Sequence, residues 1–66
     1  IMNIYEKTRI MIVDDLKKPG MSLDDAMKLF IPKSIIITRQ IIDMIMYSDI
    51  NDEDMLVTQI VALHME

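Results

Sequence analysis

The stretch Arg9–Asp15, RIMIVDD, decides the fold class, because a strand and a helix both claim it. As a strand it would be a hydrophobic run delivering two aspartates to the edge of a parallel sheet. As a helix it would be the middle of a longer amphipathic segment. The flanks favour the helix. Asn3 is a capping residue, and Glu6 follows three positions on, the spacing of a reciprocal capping box. Lys17 and Lys18 complement the negative end of a helix dipole, and Pro19-Gly20 then stops it. Tyr5, Ile12, Val13 and Leu16 fall on one face at helical spacing with Arg9 between them, which leaves Asp14 and Asp15 toward solvent. A helix from Ile4 to about Lys17 is the expectation.

The strand reading would make the run the opening of a phospho-receiver-type doubly wound sheet. Such a sheet takes several βα units and roughly twice this length. The chain has 66 residues, so that reading is set aside.

Three further segments carry helix punctuation. Ser22 with Asp25 opens a short second helix, Leu23 to Phe30. Pro32 suits the first turn of a third, with a body reaching about Tyr47. Asn51 is the expected cap of a fourth, with Asp52, Glu53 and Asp54 in its first turn and Ile50 with Met55 as a hydrophobic staple. That helix runs from Asp52 to about Met65. The fold class expected is all-α: one domain over residues 1–66, a compact bundle of four short helices. The second and third have the proportions of a helix-turn-helix unit. Ile1 stands ahead of Met2, which fits either an added residue or a piece of a longer chain.

A chain this small buries only about 60% of its unfolded surface, so extra stabilisation is expected. With no cysteine there is neither a disulfide nor a thiolate metal site, and the single His64 builds no cluster by itself. Helix packing and self-association remain. The composition is 52% hydrophobic with 8 Met and 13 Ile. Methionine suits adaptable binding grooves, but a low-GC codon bias also explains the Ile and Met content. No apolar run approaches the roughly 20 residues that span a bilayer, so a cytoplasmic protein is expected.

Several chemistries find no support. Asp49–Ile60 begins like a calcium loop, but Asp54 stands where the loop needs glycine and Ile60 where it needs a bidentate glutamate. The acids read better as a dipole-matched helix start. There is no metalloprotease motif, no glycine-rich phosphate loop and no serine elbow. Asp24-Asp25 are explained by the helix dipole, and His64 lies near the end of the chain. No catalytic residue, cofactor, metal, small-molecule substrate or membrane association is expected, and the chain is expected not to be an enzyme.

Two partner readings follow. The third predicted helix carries Ile35, Ile36, Ile37, Ile41, Ile42, Met44, Ile45 and Met46, and the fourth is almost as apolar. A helix apolar nearly all round needs cover on more than one side. The main expectation is therefore a non-enzymatic interaction module, a regulator or inhibitor, that binds itself as a homodimer or another protein. Its interface would comprise Ile36, Ile37, Ile41, Met44, Ile45, Leu56, Ile60 and Leu63, with Asp49, Asp52, Glu53 and Asp54 as an acidic partner surface. A plainer reading makes the third helix the centre of a compact bundle. The alternative function is DNA binding through the helix-turn-helix, with Lys33, Ser34, Thr38, Arg39 and Gln40 as contacts. Residues 1–39 carry seven basic and five acidic side chains, net +2, while residues 40–66 carry six acidic and none basic, net −6. Against DNA stand the overall charge of −4, Phe30 at the turn, and isoleucines where base-reading groups belong. Size and composition, by analogy alone, suit a small phage, viral or plasmid regulator.

Overall fold

The computed structural model describes residues 3–65. It contains three helices: α1 (Ile4–Leu16), α2 (Leu23–Tyr47) and α3 (Glu53–His64). The all-α class is as expected, but the count of four is corrected to three, because the second and third predicted helices are one continuous helix of 25 residues. Pro32 lies inside it.

The reason is phase. Ala26, Phe30, Ile37 and Ile41 are the buried residues of α2, and at 3.6 residues per turn they fall on one side of an unbroken helix. A turn at Ile31-Pro32 would rotate the first pair away from the second and take half of the stripe out of the core. Proline inside a helix removes a hydrogen bond and crowds the preceding turn, at a cost of about 3 kcal/mol. Each large apolar side chain kept in the core returns about 1.5–3 kcal/mol, so holding Phe30 in line with Ile37 and Ile41 outweighs the proline. Pro32 is exposed, as is Lys28, the residue four positions back whose carbonyl a proline at 32 cannot bond.

The other boundaries follow local chemistry closely. The Asn3 side chain accepts from the Glu6 N–H at 2.8 Å, while the Glu6 carboxylate turns to Arg9, 3.8 Å away. Ser22 accepts from the Asp25 N–H at 3.1 Å. Between α1 and α2, the Met21 N–H reaches the Lys18 carbonyl at 2.9 Å, and Gly20 takes φ of 82°. This is a type II turn, with proline at its second position and glycine at the third, where φ must be positive. The cap of α3 is Asp52, not Asn51: its carboxylate accepts from the Asp54 N–H at 2.9 Å. The expected staple is absent, since Met55 is exposed and Ile50 turns into a recess beside Ile4, Ile45 and Leu56.

The core is one cluster. Ile12 and Val13 of α1, the four α2 residues above, and Leu56, Val57, Ile60 and Val61 of α3 form it, with Ile37 and Ile60 fully buried. Thr8 is buried among them and donates its hydroxyl to the Ile4 carbonyl at 2.8 Å, so no polar atom is stranded. Tyr5 meets Phe30 edge to face, with ring centroids 6.3 Å apart. Both α1 and α3 pack on α2 and on one another. The molecule measures 40 × 26 × 19 Å, and α2, about 38 Å long at 1.5 Å per residue, sets the longest dimension.

Two stability outcomes follow. Pro32→Ala restores an N–H to the Lys28 carbonyl and should raise the urea midpoint, by up to about 3 kcal/mol of stability. Ile60→Ala, at a fully buried site, should lower stability by about 2–5 kcal/mol in the same titration.

Candidate functional site

An unbroken α2 has two apolar sides. One is the core stripe. Along the other, Ile31, Ile35, Thr38, Ile42 and Ile45 advance in steps of four, three, four and three residues. That average of 3.5 is the spacing of a coiled-coil seam. All five are exposed, Ile35 at 81% and Ile31 at 62%. The Thr38 hydroxyl donates to the Ser34 carbonyl at 2.8 Å. Its polar atom is thus satisfied within the helix, and its methyl can serve the apolar line. Tyr5 of α1 borders the seam, making with Ser34, Ile35, Thr38, Arg39 and Ile42 a shallow groove of about 330 Å³.

The residues proposed from sequence as an interface divide differently. Ile37, Ile41, Leu56 and Ile60 belong to the core, so they are corrected from interface to structural residues. Met44 is half-buried against that core. Ile36, Ile45 and Leu63 are exposed, but only Ile45 lies on the seam. The other seam residues, Ile31, Ile35, Thr38 and Ile42, stand outside the interface expected from sequence: Ile31 falls between two predicted helices, and the repeat is visible only when the helix is read through Pro32.

The acidic residues are mostly engaged. Asp52 caps α3, while the Lys7 ammonium donates to Glu53 and lies 3.8 Å from Asp54. The hydrogen bond to Glu53 is the main reason that the Lys7 pKa is raised, with the charges of both carboxylates adding to it. Asp49 stands apart, exposed just past the end of α2.

The helix-turn-helix expectation is corrected by the continuity of α2: there is no turn for a recognition helix to follow. The residues assigned to DNA contact divide, Ser34, Thr38 and Arg39 bordering the groove beside Tyr5 and Lys33 and Gln40 lying toward His64. Thr38 and Ser34 face the α1 side, and Ser34 donates to the Ile31 carbonyl at 2.8 Å. Arg39, 78% exposed, lies 3.6 Å from Asp43. Gln40 is turned the other way, its amide oxygen accepting from His64 Nε2 at 2.7 Å, and Lys33 is near enough to His64 to influence its titration. Among the described residues, no three His, Cys, Asp or Glu side chains gather in a way that could hold a metal ion. No helix of the described residues is long and apolar enough to cross a membrane.

No protein-family model matches the chain, and no curated protein or solved structure matches it.

His64 supplies a pH prediction. Burial, and then the positive charge of Lys33, hold its pKa below the ordinary 6.5. On acidification the unfolded chain therefore takes up this proton first. The stability tied to neutral His64 is complete above pH 6.5 and is lost as pH falls through the folded-state value. Urea midpoints should decline modestly from pH 7.5 to pH 5, and His64→Gln should flatten that decline.

Proposed function

We propose that the chain is a small protein-interaction module, a regulator or inhibitor that works by presenting the outer face of α2 to another protein. The observation that carries this reading is the regular seam of Ile31, Ile35, Thr38, Ile42 and Ile45, exposed on the side of the helix that the core does not use. Single exposed apolar residues are ordinary on protein surfaces, but a regular line of them is the kind of surface that binding covers. A binding helix needs no catalytic group, because its selectivity comes from the shape of the apolar line and the charges beside it. Here those charges are Lys28, Arg39 and Asp43, all exposed on α2.

Ile35→Glu with Ile42→Glu tests the proposal. Both positions are exposed, so stability should change by no more than about 0.5 kcal/mol per site. In lysate with and without nuclease, a tagged wild-type chain should retain a protein partner, its own untagged copy included, and the double variant should lose that partner. Capture unchanged by the substitutions, or capture of nucleic acid alone that disappears with nuclease, would remove the reading.

A further inference from the structure

We draw no further inference here: the strongest candidate, the exposed apolar seam of α2 with the shallow groove beside Tyr5, is an unpartnered helix face, and nothing in the structure shows what covers it.

Discussion

The structure depends on keeping α2 in phase across Pro32. Ala26 and Phe30 precede the proline, while Ile37 and Ile41 follow it, and all four must face the same way for α1 and α3 to close on a single core. Were the helix to restart at Pro32 with a new phase, Phe30 would leave Tyr5 and the core would lose its continuity from one end of α2 to the other. Proline is unfavourable in a helix interior chiefly through one lost hydrogen bond and a local clash, a cost that a few well-buried side chains exceed. Tertiary packing thus overrides a local stop signal.

That contest explains which parts of the fold the sequence made legible. The helix starts at Asn3 and Ser22 and the stop at Pro19-Gly20 are short-range events. Each is settled by a side chain bonding a backbone N–H three residues away, or by one glycine taking positive φ, and such signals can be read without knowing the rest of the chain. At Pro32 the signal was real and lost to contacts made by residues far apart in sequence. The shift of the α3 cap from Asn51 to Asp52 is a smaller case: either side chain can cap, and the observed one leaves Ile50 tucked beside Ile4 and Leu56.

The candidate site was half legible for a related reason. An apolar excess on the region from Ile35 to Met46 is evident from composition, and it implies cover on more than one side. Which isoleucines face the core is a question of phase. Ile37 and Ile41 are buried, while Ile35 and Ile42, two residues before and one after, are exposed. A helix split at Pro32 leaves that assignment open, because the shorter segment has no buried partner stripe to fix its rotation. The unbroken helix fixes it, and brings Ile31 into line with the other four seam positions.

The position of Pro32 around α2 ties these points together. The core stripe occupies one side of the helix and the seam a second. The remaining side carries Asp25, Arg39, Asp43 and Pro32, all exposed, with Leu29 and Ile36 at its margin. On the core side, a proline would strip a donor from a carbonyl shut away from water, the costliest place to leave one unpaired. On the seam it would interrupt the regular line of isoleucines. On the third side the ring is exposed and occupies a face that neither packing surface needs. A helix with two apolar sides can hold a proline at least cost where it is charged and wet, and α2 places it there.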